Sequence, residues 1–515
     1  MYNLLDEPWI PVRWGPDAPD GEPPDRVGLR EALLRSQDIA GLAVAEPPAH
    51  AALLRVLYAL AARVTGLDEA GPGNWYRRRE VIGDAGRFPA AGVASYFAPR
   101  ADRFFLYDPD RGRPWMQDIR LAHQCDPVKT AGVNKLIVTR PSGNNHAWFR
   151  HGSDARPDLP TAPEAVLNLL VWHYYGPSGR CSAREVNGVK SASTTAGPLR
   201  TAMSYHPEGA SLFETLLAGL VPPKVTVRRT QDLCPWETAE LPDPEELPAP
   251  PTGPCARLTA CSQHALLLEP GGERGEVVQD AFITWAYRSG RIERDDDYLI
   301  WQISKQGNRY PRPADSQRAL WRDLDALLLH RMTEDDGPQR PAVFDSAEEL
   351  GEWPLRVRAL GFEQEGQAKD TQFVEGSTPA VLGHAEELKA SVRPAVARLR
   401  QYGELYGRRL DRAVKRAWAA YVDDAKADGG TWSAEAAARY WPGAEAEFWA
   451  RFRRLDRTSR TLGGGLDLDT TRSAFLRLAE TSFDTVTASV TRTLRGAKAV
   501  SDARIELYGG RRRNR

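Results

Sequence analysis

The spacing of apolar positions changes several times along the chain, and each change marks an element. Leu4–Val12 is a short apolar run interrupted by Asp6, Glu7 and two prolines, and a polar Pro/Gly-rich stretch follows it through Pro24. Together they predict a strand and a hairpin-like excursion. Val27–Ser36 has the spacing of a short helix. His50–Leu67 predicts a stronger one, because Leu53, Leu54, Val56, Leu57 and Leu60 form a broad apolar face. Phe104–Trp115 (FFLYDPDRGRPW) reads as a strand and turn, ending at the pair Trp115–Met116. Glu164–Tyr175 is apolar enough for a buried helix, and Ser211–Leu220 predicts another short one. Six prolines among acidic residues keep Glu237–Pro254 out of regular structure. From Ala256 to Trp301 the pattern turns to short strands, clearest at Ala265–Leu268 and Ala281–Tyr287; Leu320–Arg331 is helical again.

Beyond Pro379 the chemistry shifts. Ala380–Ala427, Ser433–Asp456 and Thr470–Lys498 are rich in Ala, Leu, Arg and Glu at helical spacing, with Gly429–Gly430 and Gly463–Gly465 between them. Pro394 and Pro442 break or kink the first two, so about four or five helical segments are expected, as in a bundle. Asp469 and Thr470 are the N-cap candidates of the last. The expected architecture is an α+β multidomain N-terminal region over residues 1–375, followed by an all-α helical bundle over residues 376–515.

Two polar stretches lie among these elements: Ser142–Gly152 (SGNNHAWFRHG) and Asn187–Gly197 (NGVKSASTTAG). Neither has the large aliphatic side chains of a core strand, and both read as loops. Each offers exposed donors, backbone amides without bulky cover and one or two cations; the first adds the rings of Trp148 and Phe149. Amides and cations suit phosphate, flat rings suit a base or sugar, and small residues permit close approach, so the mixture fits a nucleic acid. The plainer reading is two ordinary surface loops with Trp148 tucked into the core. Gly361–Asp370 (GFEQEGQAKD) is a third polar, glycine-punctuated stretch and by itself means only a loop.

At 515 residues the chain is long enough for about two to four domains. A hydrophobic fraction of 42% with 27% charged residues describes a soluble protein. No run of about 18 uncharged apolar residues occurs, and the start lacks a signal-peptide charge pattern, so a cytoplasmic protein without membrane contact is expected. The five cysteines form no C-x-x-C pair, which argues against structural zinc or a disulfide frame. With 68 basic against 69 acidic residues, the chain lacks the excess positive charge of a free, nonspecific DNA binder. Nucleic-acid binding would have to rest on local patches or on partners.

The motifs of common catalysts are absent. Gly188–Ser191 (GVKS) lacks the glycines of a phosphate-binding P-loop, and there is no H-E-x-x-H, G-x-S-x-G or G-x-G-x-x-G. The nine histidines have no ligand spacing. No catalytic residue, metal ligand or cofactor is assigned. The acidic run Glu293–Asp297 (ERDDD) reads as a solvated turn rather than a metal site. Basic patches carry more. Arg400–Arg416 holds six cations, among them Arg408, Arg409 and Arg412. Arg451–Arg460 holds five arginines, including Arg453 and Arg454, and four more close the chain after Gly510. Such runs are ordinarily solvated faces, but two on one bundle could form a stripe for a phosphate backbone.

In this order, the pieces resemble the CasA family, the large subunit of the type I-E CRISPR surveillance complex Cascade. The resemblance covers essentially the whole chain. It rests on the opening NLLDEPWIPV, PWMQ at Pro114–Gln117, VNKL at Val133–Leu136, S-G-x-x-x-A with its aromatic, GVKS, and GQA at Gly366–Ala368 before the helical C-terminus. It implies a C-terminal four-helix bundle and partners in guide RNA, the other Cascade subunits and double-stranded target DNA. It also implies binding of the protospacer-adjacent motif (PAM) duplex from the minor groove, help in starting target unwinding, and recruitment of a separate helicase-nuclease. Such subunits are not nucleases themselves. Carried over, Trp148, Phe149 and Arg150 fall at the family's PAM-side loop, near the guide RNA handle. Asn187, Gly188 and Lys190 match a glycine-rich minor-groove loop, with Asn187 where the family can have glycine. Gln367, beside Ala368, matches a wedge inserted beneath the PAM. A minor-groove lysine of some relatives has three candidate replacements, Arg288, Arg291 and Arg294. The zinc-binding C-x-x-C pairs of some relatives are missing. A minor-groove reader should tolerate several flank sequences, since that groove separates mainly A·T from G·C. The competing readings are a stand-alone metal-dependent nucleic-acid enzyme, using Asp295–Asp297 or Asp467 and Asp469, and a scaffold without flank preference.

Overall fold

The computed structural model describes residues 2–16, 18, 23–107, 113–142, 152–224, 227–328, 338–350, 353–365, 369–382, 392–455 and 466–510. The chain forms two compact units, Met1–Ser316 with Met332–Gly383, and Gln317–Arg331 with His384–Arg515.

The first unit is built around helix α1 (Pro47–Thr65), whose 19 residues are all buried. It starts at Pro47 rather than His50 because proline fits the first helical turn, where its missing N–H has no partner to lose. It ends where Gly66 takes φ +65°. A helix buried on every side must neutralise its charges inside the protein. Arg55 therefore donates to both carboxylate oxygens of Asp296, at 2.9 and 3.1 Å, and Arg63 donates to Asp68 and Glu237. Helix α2 (Ala162–Tyr175) packs on α1 and is capped by Thr161, which accepts from the Glu164 amide.

Further short helices and, among the described residues, five small antiparallel sheets lie in the same unit. In the first, β1 (Ile10–Trp14) lies between β2 (Arg26–Val27) and β3 (Ile39–Leu42). The hairpin of β4 (Gly179–Val186) and β5 (Val189–Thr194) is described below. Strand β6 (Met203–Glu208) pairs with β11 (Arg356–Glu365), which pairs on its other edge with β12 (Lys369–Ala380). The remaining pairs are β7 (His264–Gly271) with β8 (Val277–Trp285), and β9 (Trp301–Ile303) with β10 (Arg309–Pro311).

Outside the candidate interface, three expectations for this unit change. The strand expected over Leu4–Val12 starts only at Ile10, because Trp9 is buried and its Nε1 turns back to donate to the Leu4 carbonyl at 2.9 Å. Phe104–Trp115 forms no strand among its described residues; its strand-like pairing is a single bridge from Phe105 to Asn3. The acidic run Glu293–Asp297 is no solvated turn. Asp296 and Asp297 are buried. Lys224 pairs with Asp295 and with Asp297, Arg257 with Asp297, and Arg309 with Asp295. Burial pushes the Asp296 carboxyl up, but Arg55 and Arg294 beside it outweigh that and hold it at about 2.

In the second unit, the segment expected as one helix from Leu320 is a 3₁₀ turn (Leu320–Asp323) running into a short helix (Leu324–Leu328). Among the described residues four longer helices follow: α3 (Val392–Val422), α4 (Gly430–Phe452), α5 (Leu468–Thr487) and α6 (Leu494–Arg504). Helix α3 packs against the other three, and α4 also packs against α5, giving the expected bundle. Pro442 lies inside α4. Thr470–Lys498 is two helices rather than one, separated by a 3₁₀ turn at Val490–Arg492 and a cap at Thr493. The cap of α5 is Asp467, not Asp469 or Thr470: its carboxylate accepts from both of their amides, at 3.0 and 3.1 Å. Close packing depends on glycine in α3. A Cβ at Gly403 would lie 2.6 Å from the Trp321 ring, and one at Gly407 would lie 2.4 Å from Trp441.

Candidate nucleic-acid interface

The stretch expected as a polar loop at Asn187–Gly197 is a turn and a strand. Strands β4 and β5 pair through Glu185↔Lys190 and Val186↔Val189, which leaves Asn187-Gly188 as a two-residue turn. Both turn residues have positive φ, +50° and +75°. That is the signature of a type I′ turn, whose twist matches the strands it joins and which favours Asn-Gly. The dipeptide itself was the missed signal. A Cβ on Gly188 would meet nothing within 4 Å, so its conformation, not crowding, requires glycine. Asn187, Gly188, Val189 and Lys190 are all exposed.

The root of the hairpin is fixed. Arg184 is fully buried and donates to Gln124 at 2.8 Å, to the Trp285 carbonyl at 3.1 Å and to Asp118 at 2.8 Å. Burial raises the Asp118 carboxyl, but hydrogen bonds from Arg120 and the Arg184 charge hold it below the usual carboxylate range. Trp285 Nε1 donates to the Ser191 carbonyl at 3.0 Å, and the Thr284 hydroxyl donates to the Ser182 carbonyl at 2.6 Å. An exposed tip thus stands on a clamped base.

Behind the tip, Arg288 donates to the carbonyls of Val186 and Val189, at 2.9 and 3.3 Å, and to Glu245 at 2.5 Å. The Asn187 amide also donates to Glu245. Of the three arginine candidates, Arg288 therefore stands at the turn. Arg291 donates to the Gly197 carbonyl at 3.4 Å, and Arg294 is spent on Asp296 and the Pro198 carbonyl.

Trp148, Phe149 and Arg150 lie outside the described residues. The flanking Ser142 and Asp154 line an open groove of about 550 Å³ with Lys129, Lys135, Arg180 and Lys190. The groove brings the described borders of that stretch, Ser142 and Asp154, to the β4–β5 hairpin. Burial holds the Lys135 ammonium below its ordinary value.

Gly361–Asp370, expected as a loop, is mostly strand: β11 runs to Glu365 and β12 starts at Lys369, two residues that pair with each other. Gln367 and Ala368, in the connection between them, lie outside the described residues. The hairpin is braced just below. Gln364 accepts from the Thr201 amide at 2.8 Å and donates to Asp370 at 2.7 Å, while Arg200 pairs with Asp370 at 2.6 Å. Because Arg200 and Thr201 follow β5 closely in the chain, one short segment ties the two hairpins together.

The bundle's arginine candidates divide. Arg408 and Arg412 are exposed on α3 and line a cleft of about 530 Å³ with Asp411, Ser433 and Trp441. Arg409 instead packs over the Tyr406 ring and donates to the Leu507 carbonyl at 3.4 Å. Arg453 and Arg454, also exposed, lie at the C-terminal end of α4. Arg457, Arg460 and the terminal arginines fall outside the described residues. Among the described residues, no helix is long and apolar enough to cross a membrane.

The model of CRISPR-associated protein Cse1 matches residues 3–481. A CasA/Cse1 protein of Thermus thermophilus is 28% identical over 364 residues, 68% of this chain and 63% of that protein, so the match spans less than two thirds of the relative's length. A chain of a solved CRISPR RNA-guided surveillance complex is 38% identical, with a TM-score of 0.86 and 99% of both chains covered. The crystal structure of Thermobifida fusca Cse1 superposes with a TM-score of 0.75 at 20% identity, over 98% of this chain and 97% of that one, and shows the shared fold. On the match that runs from residue 3 to residue 481, the chain belongs to the CRISPR-associated Cse1 family.

Proposed function

We propose that this chain is the large, non-catalytic subunit of a type I-E CRISPR RNA-guided surveillance complex and that it reads the PAM duplex from the minor groove. The observation that carries this reading is the exposed Asn187-Gly188 turn on a clamped hairpin. Asn187 presents an amide able to donate or accept at a groove floor, Gly188 lets the backbone approach, and Lys190 supplies charge to a phosphate. The resemblance to a chain of a guide-RNA complex supports guide RNA and further subunits as partners. Gln367, with Ala368, is the wedge that takes the place of the first opened base pair. Opening that pair costs on the order of 1–2 kcal/mol per stacked step. Trp148, Phe149 and Arg150 face the flank or the guide RNA handle. Arg408, Arg412, Arg453 and Arg454 serve DNA backbone or neighbouring subunits, Arg409 bracing the bundle instead, and a separate helicase-nuclease is recruited after strand opening. A metal-dependent enzyme is less well supported, because Asp295, Asp296 and Asp297 already neutralise Lys and Arg side chains.

The test compares complexes assembled with wild-type chain, Gly188→Leu and Gln367→Ala on targets with and without the flank, paired or pre-opened at the first base pair. Gly188→Leu should abolish flank discrimination while assembly persists. Gln367→Ala should slow opening of paired targets only. Preserved discrimination in Gly188→Leu would sink the reading.

A further inference from the structure

We infer that Arg288 forms a subsite for a phosphodiester oxygen of the flank, and that Glu245 occupies it, and holds the Asn187 amide back from the groove, when no DNA is bound. The inference rests on the flank-reading role of the hairpin and names a residue that tunes its affinity.

The geometry is that of an anion site holding an internal anion. The Asn187 amide and the Arg288 guanidinium both donate to the Glu245 carboxylate, on Oε2 and Oε1 respectively. A phosphate offers the same kind of paired acceptor oxygens, and arginine binds either group. Arg288 does not depend on Glu245 for its position. It donates to the Val186 and Val189 carbonyls on either side of the turn and lies 5.7 Å from the Trp285 ring centre. It therefore stays aimed at the turn when the carboxylate leaves.

Glu245 is also placed to leave. It sits in the proline-rich stretch without regular structure, and both its side chain and that of Arg288 are partly exposed, 30% and 24%. Its backbone is held separately. The Glu245 amide donates to Asp243 at 2.9 Å, the Arg288 amide donates to the Pro244 carbonyl at 2.9 Å, and Leu247 packs close to Gly290. Only side-chain torsions need to change for the carboxylate to swing away.

The exchange has a consequence for affinity. Any DNA that approaches the turn must displace a carboxylate that also repels its phosphates. A flank that gives Asn187 a groove partner regains the loss; other DNA does not. Glu245 thus lowers the affinity for all DNA by a common factor, and only a flank that offers Asn187 a partner makes that loss good.

The experiment measures affinity of the assembled complex for duplexes with and without the flank, over a salt series, for wild type, Glu245→Gln, Glu245→Ala and Arg288→Gln. Both Glu245 variants should bind flankless DNA about two- to fivefold more tightly, the range of one exposed ion pair, and flanked DNA more tightly by a similar factor. Arg288→Gln should flatten the salt dependence by about one phosphate contact. Unchanged or weakened flankless binding in both Glu245 variants overturns the inference, the weakened case making Glu245 a buttress of the turn. If Gly188→Leu keeps flank discrimination while the Glu245 variants still tighten binding, the flank reading fails and the anion subsite stands.

Discussion

The two units fill their interiors differently. In the first, three of the largest fully buried side chains are arginines, Arg55, Arg79 and Arg184. Their partners are far away in sequence: Arg55 meets Asp296 across 241 residues, and Arg79 reaches the Ser346 carbonyl across 267. In the second, the corresponding side chains are rings, Trp321 and Tyr406, and the Trp321 and Trp441 rings seat against glycines of α3. Ring-on-glycine packing needs only surface shape, whereas a buried guanidinium needs specifically placed acceptors or counter-charges. The first unit is therefore the one in which a single lost carboxylate should be felt throughout.

The largest effect expected from this contrast is Asp296→Asn, which leaves Arg55 and Arg294 buried without their counter-charge. It should destabilise the first unit by about 3–5 kcal/mol, read by denaturant unfolding. A loss below about 1 kcal/mol would mean that water or another acid compensates, and the contrast would fail. In the bundle, Gly407→Ala should raise helix propensity yet lower stability, by about 1–3 kcal/mol, because the new methyl meets Trp441. A stabilised variant would show that the ring yields freely.

The most gradual expected effect is acid sensitivity. Burial pushes His50 down to about 3, and His173 and His264 down to about 4. Their folded values lie below the ordinary 6.5, so the unfolded chain takes up protons first. Stability is present above pH 6.5 and falls as the pH drops towards 4, by up to about 1.4 kcal/mol per pH unit for each histidine. All three histidines belong to the first unit. Fluorescence or exchange probes placed in each unit should show the first softening between pH 6.5 and 4, ahead of the bundle.

What was legible in the sequence follows the same division. The long helices were visible because their apolar period is a local property, as in Leu53–Leu60 of α1 and the Ala/Leu-rich segments of the bundle. The run Asp295–Asp297 was misread because its partners Arg55, Lys224, Arg257 and Arg309 are scattered, and sequence alone gives such carboxylates no reason to be buried. The β4–β5 hairpin was missed for a different reason. Its strands are too polar to show an apolar alternation, although Asn187-Gly188 was plain to see. The candidate tip residues Asn187, Gly188 and Lys190 were found through the family resemblance. Glu245 was not, because nothing in a proline-rich acidic stretch tells which carboxylate folds back over the turn.

Cys181 offers a practical opening. It lies on β4 and lines the groove shared with Lys190, and it is the one cysteine of the five that is not buried. A thiol-reactive dye would therefore attach beside the hairpin without any engineered cysteine. Burial pushes this thiol's pKa up, so labelling would be slow at neutral pH and faster in mild alkali. A label placed there would give an optical signal for anything entering the groove, recorded on the native sequence.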